Sequence, residues 1–183
     1  MKSLKAVIHT GGVAVIRTDT LYGIVCNAHN PHAVDRVYKI KKRNPLKASI
    51  VLVADYKQIA SFGITITPEM KERLDHYWPG KVSIILPAHD ISVNTHYIHK
   101  GTGGIAFRMP DDPELRMMLK DIGPLIAPSA NPEGEPPATT IDMARDYFGD
   151  QVDYYMDGGE VTNTTPSTII KFSPSSDVEV IRE

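Results

Sequence analysis

The stretch IAFRMPDDPELRMMLKDIGPLIAPSAN, residues 105–131, carries the rhythm that decides the fold. IAFRM (105–109) is a short apolar run of the kind that forms a strand. Asp112 and Pro113 then open a helix, because an aspartate can accept from first-turn N–H groups and a proline loses nothing where the N–H would be unpaired. Leu115, Met118, Leu119 and Ile122 fall on one helical face, and Gly123 stops the helix. LIAPS (125–129) is a second apolar run. Strand, helix and strand in immediate succession predict helices packed on a sheet.

The same rhythm extends in both directions. Further strands are expected at VAVI (13–16), SIVLVA (49–54), VSIILPA (82–88), YYMD (154–157), STIIKF (167–172) and VEVI (178–181). Asn30 and Pro31 start a helix with Val34, Val37, Tyr38 and Lys41 on one face. Thr67 and Pro68 start another that ends before Trp78-Pro79-Gly80, and a fourth is expected from Ile141 to Phe148. With 183 residues, 42% of them apolar, the chain suits one domain spanning 1–183. The longest segment without a pattern is 89–104, a length that is usually functional or mobile in a compact domain.

Composition narrows the function classes. Twenty basic residues against 22 acidic ones leave no overall field for nucleic acid or anionic lipid, so any positive patch must be local. The single cysteine, Cys26, cannot form an internal disulfide, and no Cys/His spacing suits a structural zinc site. His89, His96 and His99 share the 89–104 segment, but no cysteine or carboxylate arrangement there completes a metal site. No secretory signal or apolar run of membrane-spanning length is present, which predicts a cytoplasmic protein with no membrane partner. Phosphate-loop, GxGxxG, GxSxG and HExxH signatures are missing.

Four short segments remain as chemical candidates. KIKKRNPLKAS (39–49) gathers Lys39, Lys41, Lys42, Arg43 and Lys47 at a helix exit fixed by Pro45. Lys39 and Lys42 suit the negative end of the helix dipole, whereas Lys41 and Arg43 flank the exit and can turn toward one carboxylate or phosphate. TDTLYG (18–23) and APSAN (127–131) each follow a strand, where open α/β sheets place ligands; both also suit plain turns. Arg108 lies in an apolar strand and needs a partner or a ligand unless alternation points it to water.

TDTLYG, Lys41-Lys42-Arg43, Trp78-Pro79-Gly80, FRMP, Ser129-Ala130-Asn131 and STII at 167–170 occur in one order over nearly the whole chain. Together they resemble the threonylcarbamoyl-AMP synthase family, often called the YrdC family. The resemblance implies an α/β (α+β) fold of the YrdC/RibB-like kind, a twisted mixed sheet of about seven strands with helices on both faces, around a concave, positively charged cleft. It implies that L-threonine, bicarbonate or CO2 and ATP give threonylcarbamoyl-adenylate and pyrophosphate, for threonylcarbamoyl modification of a tRNA adenosine.

By the same resemblance, Lys41 and Arg43 would act on the reacting anions. Thr20, Arg108, Ser129 and Ser167 would bind L-threonine, and Arg43, Lys47, Asn131, Thr139 and Arg182 would surround ATP. Mg2+ would bridge the phosphates with no dedicated carboxylate cage. The partners implied are a tRNA-modifying transferase complex and, weakly, RNA. Arg17 stands where relatives usually have proline, offering one more cation to the cleft; Gly104 stands where they often carry a hydroxyl, and Leu52 where some have histidine. Two other readings of the same cleft are a non-catalytic double-stranded RNA or tRNA-binding module and a domain that forms carbamoyl-adenylate.

Overall fold

The computed structural model describes residues 3–88, 94–162, 165–173 and 177–183. In chain order its elements are α1 (Leu4–His9), β1 (Ala14–Arg17), β2 (Tyr22–Asn27), α2 (Pro31–Ile40), β3 (Ile50–Leu52), α3 (Tyr56–Ala60), α4 (Pro68–Asp75) and β4 (Val82–Pro87). There follow α5 (His96–His99), β5 (Gly104–Arg108), α6 (Pro113–Ile122), β6 (Leu125–Ile126), α7 (Ile141–Phe148), β7 (Tyr154–Tyr155), β8 (Thr168–Phe172) and β9 (Val178–Arg182).

The described strands form one mixed sheet in the order β7-β1-β2-β6-β3-β5-β4-β8-β9. Its nine strands are the eight expected from apolar runs plus β2, and so exceed the seven or so that the family resemblance implied. β3 and β5, β4 and β8, and β1 and β7 run parallel, and the remaining neighbours antiparallel. The helix starts expected at Asn30, Thr67 and Asp112 are present, each side chain accepting from a first-turn N–H. Ser3 and Asp55 do the same for α1 and α3, two short helices that periodicity did not reveal.

Strand alternation divides the core into two layers. Val13, Val15, Ile24, Cys26, Val51, Val53 and Phe107 face one side, where side chains of α2, α3, α4, α5 and α7 cover them. Ala14, Ile16, Val25 and Leu52 face the other, under Leu4 and Ile8 of α1 and Leu115, Leu119 and Ile122 of α6. Ile50 and Ala127 pack at the margin of this second layer and also line a cavity of about 470 Å3. The cavity therefore opens beside the part of the sheet that α1 and α6 cover.

Candidate active site

The cavity wall begins at the hairpin between β1 and β2, where Arg17 pairs with Tyr22 and Thr18–Leu21 make the turn. Thr18 holds this turn closed: its hydroxyl donates to the Leu21 carbonyl at 2.7 Å and accepts from the Thr20 and Leu21 N–H groups. Tyr22 and Gly23 belong to β2 and not to the loop expected over 18–23. Gly23 bridges Ser129, and the Ala130 N–H donates to the Tyr22 carbonyl at 2.7 Å. These two contacts lay TDT and SAN side by side, although they are far apart in sequence.

β5 delivers Arg108 to the same turn. Its guanidinium donates to Thr20 Oγ1 at 2.9 Å and pairs with Asp19 at 3.0 Å, and only 4% of the residue is exposed. Arg108 thus has a carboxylate partner from the protein, the outcome that burial of a strand cation demands. Asp19 was not among the sequence candidates. Burial raises its carboxyl above the ordinary range against the opposing pull of Arg108. The available signal was that Asp19 is the only acid in the TDT turn, but no local pattern says that β5 ends opposite it.

The exit of α2 supplies the next wall. Lys42 adopts a left-handed conformation (φ 50°), and the Arg43 N–H donates back to the Tyr38 carbonyl at 2.9 Å, ending the helix. Arg43 then folds over its own loop, donating to the Ala48 carbonyl at 2.8 Å, with its guanidinium 5.6 Å from the Tyr38 ring. Lys47 pairs with Glu133 at 3.2 Å. From the opposite edge, Arg182 of β9 donates to the Ser167 carbonyl at 2.6 Å, and the Ser167 hydroxyl meets that of buried Ser83 at 2.9 Å.

Of the expected site residues, Thr20, Arg43, Lys47, Arg108, Ser129, Ser167 and Arg182 line this one cavity. Lys41, Asn131 and Thr139 do not. Lys41 is buried and donates to the carbonyls of Ser129 and Asn131. The Asn131 amide donates to the Pro132 and Glu135 carbonyls, and the Thr139 carbonyl accepts from Val161. Both shape the loop before α7.

The Sua5/YciO/YrdC family model, described as "Telomere recombination", matches residues 6–183. The chain belongs to the Sua5/YciO/YrdC family. It is 32% identical over 160 residues to a threonylcarbamoyl-AMP synthase of Cellvibrio japonicus, covering 87% of this chain and 84% of that one. A putative threonylcarbamoyl-AMP synthase of Methanocaldococcus jannaschii is 34% identical over 183 residues, covering 98% and 84%. The crystal structure of P. abyssi Sua5 complexed with L-threonine superposes with a TM-score of 0.86 at 27% identity. It covers 97% of this chain, which spans about half of that one (52%).

The three positions at which the resemblance implied a departure have physical readings here. Arg17 is not on the wall of this cavity: it donates to the Gly158 carbonyl at 2.6 Å and lines an adjoining depression that shares Thr18 and Thr20 with the cavity and also includes Lys81, Asp111 and Asp157. At Gly104 a Cβ would meet Ile85 Cγ2 at 2.7 Å, so strand packing leaves no room for a side chain. Leu52 is buried in the layer under α1 and α6. The 89–104 segment is not wholly irregular, since it contains α5 and leads into β5, while His89 and the rest of 89–93 lie outside the described residues. Among the described residues no helix is long and apolar enough to cross a membrane.

Proposed function

We propose that this domain forms L-threonylcarbamoyladenylate and pyrophosphate from L-threonine, bicarbonate or CO2 and ATP, as a nucleotidyltransferase supplying tRNA modification. The observation that carries this reading is the convergence of Arg43, Lys47, Arg108 and Arg182 on one cavity with Thr20, Ser129 and Ser167. ATP, bicarbonate, the carbamate and pyrophosphate are all anionic, and threonine brings a carboxylate. Four cations from three segments, the α2 exit, β5 and β9, answer the need to hold several negative charges together and to stabilise the charge that grows on phosphorus. The names of the relatives and the threonine-bound Sua5 structure support the same assignment.

In this reading the amine of threonine attacks CO2 and sheds a proton, or attacks the carbonyl carbon of bicarbonate so that its proton leaves with the displaced hydroxide as water; either route gives a carbamate. A carbamate oxygen then attacks the α-phosphorus, and pyrophosphate leaves. Arg108 and Thr20 would take the carboxylate side of threonine, with Ser129 and Ser167 as hydroxyl partners. Arg43, Lys47 and Arg182 would face the phosphates. Mg2+ would neutralise charge between phosphate oxygens; among the described residues no three His, Cys, Asp or Glu side chains gather to hold a metal, so the nucleotide's own oxygens would carry it. The product would pass in the cytoplasm to a separate tRNA-modifying transferase complex.

The test is pyrophosphate release from ATP. Release should require both threonine and bicarbonate, and Arg43→Ala should lower kcat about a hundredfold, the usual loss of one transition-state donor. Release that proceeds equally without threonine overturns the assignment. Binding of RNA with no adenylate formed would favour the binding-module reading instead.

A further inference from the structure

Lys41 closes the C-terminal end of α2 with its side chain on the helix's buried face, in line with Val34, Val37 and Tyr38, and 1% of it is exposed. Its ammonium donates to the Ser129 carbonyl and, at 2.5 Å, to the Asn131 carbonyl. Its own carbonyl accepts from the Glu133 N–H at 2.8 Å. The Glu133 carboxylate in turn accepts from the Asn44 N–H and pairs with Lys47. The exit of α2 and the segment 129–133 are therefore joined along both main chains.

An ammonium has three donors and no acceptor. Here two of them are spent on carbonyls in a buried position, and the side chain is absent from the cavity wall. The third donor is buried with the rest of the side chain, off the cavity wall, so a phosphate in the cavity would not meet the ammonium unless the 129–131 loop moved. Ser129 is differently placed: it lines the cavity, and its hydroxyl donates to Asn131 Oδ1 at 2.6 Å. The two residues whose carbonyls Lys41 holds are thus the two that set the direction of the Ser129 hydroxyl.

We propose that Lys41 is a positioning residue for amino-acid recognition, fixing the Ser129 hydroxyl on the cavity wall through the 129 and 131 carbonyls, and that it does not ligate the nucleotide phosphates. This rests on the synthase reading of the same cavity. It separates two roles that the Lys41-Lys42-Arg43 motif joins: Arg43 lines the cavity, while Lys41, two residues earlier, faces the loop.

Lys41→Met removes the donors and keeps the length of the side chain. L-threonine and, separately, ATP with Mg2+ are titrated calorimetrically into the wild type, this variant, Ser129→Ala and the double variant. Threonine affinity should fall about tenfold in Lys41→Met, the size of one to two lost hydrogen bonds, while ATP affinity stays within about twofold. The effects of Lys41→Met and Ser129→Ala on threonine should be far from additive, because one acts through the other. Lys41→Gln, which keeps two donors near the same carbonyls, is measured beside them so that a folding defect of the methionine variant does not remove the readout; it should bind threonine better than Lys41→Met. A fall in ATP affinity, unchanged threonine affinity, or additive effects overturn the proposal. A wild type that binds neither ligand overturns the synthase reading itself, and the proposal with it.

Discussion

Arg108 and Lys41 are both buried cations, 4% and 1% exposed, yet the protein holds them by different means. Arg108 faces a carboxylate, Asp19, at 3.0 Å. Lys41 donates to two neutral carbonyls. Burial lowers the pKa of both, but an arginine stays charged at any physiological pH, so its cost must be met by an opposite charge. A lysine can shed the cost by shedding its proton. Burial, with Arg43 and Lys47 adding to it and Glu133 opposing, brings Lys41 to about 7. One cation is therefore a fixed charge, and the other titrates near neutrality.

The largest expected effect is on the fixed charge. Asp19→Ala leaves the Arg108 guanidinium buried without its counter-charge, and breaking a buried pair in this way costs about 3–5 kcal/mol. Urea unfolding of Asp19→Ala beside Lys41→Met measures it. If the aspartate variant is no less stable than the lysine variant, the contrast between paired and unpaired cations is wrong. Asp19→Asn, which keeps an acceptor oxygen in the same place, should fall between wild type and Asp19→Ala.

A smaller effect tests the titrating charge. Because the folded pKa of Lys41 lies near 7 and the unfolded value near 10.5, the unfolded chain binds more protons between those limits. Stability should therefore rise with pH across that window, being lowest where the buried group is charged. From pH 7 to 8.5 the rise attributable to Lys41 is at most about 2 kcal/mol, at roughly 1.4 kcal/mol per unit. His29 and His99, whose pKa values burial lowers, titrate below this interval, and burial moves Cys26 well above it. The rise should vanish in Lys41→Met. A wild-type stability that is flat or falling over the same interval would show that the two carbonyls hold the ammonium charged.

How much of this was legible beforehand differs between the two cations for a physical reason. The direction of Lys41 was written in the helix: it follows Val34, Val37 and Tyr38 on one face, and that face is buried. Periodicity described its position more accurately than the motif that groups it with Arg43. Arg108 was legible as a charge needing a partner, but the identity of the partner was not, since Asp19 meets it only after a β1–β2 turn and the end of β5 come together. β2 was missed for a related reason. Its YGIVCN begins inside TDTLYG and includes glycine and asparagine, so alternation was hidden by the turn that precedes it. The capped helices α2, α4 and α6 were readable because Asn-Pro, Thr-Pro and Asp-Pro state their own starts.

The smallest effect lies at Ser83, which bears on neither cation directly and so calibrates both comparisons. Its hydroxyl is fully buried on β4, 2.9 Å from that of Ser167, which lines the cavity and whose carbonyl accepts from Arg182. β4 and β8 run parallel there, with Ser83 opposite Ile169, so the backbone holds Ser167 nearby whether or not the hydroxyls meet. Ser83→Ala should cost about 1 kcal/mol, the net worth of one neutral hydrogen bond. It should also weaken threonine binding only a few-fold, because the freed Ser167 hydroxyl keeps its place and loses only its orientation. Ser83→Thr should cost more in stability than Ser83→Ala although it retains the hydroxyl, since an added methyl in a filled core forces strain of about 1–3 kcal/mol. If Ser83→Ala instead weakened threonine binding as much as Lys41→Met does, orientation of a single wall hydroxyl would account for both, and the burial of a charge at Lys41 would need no special role in recognition.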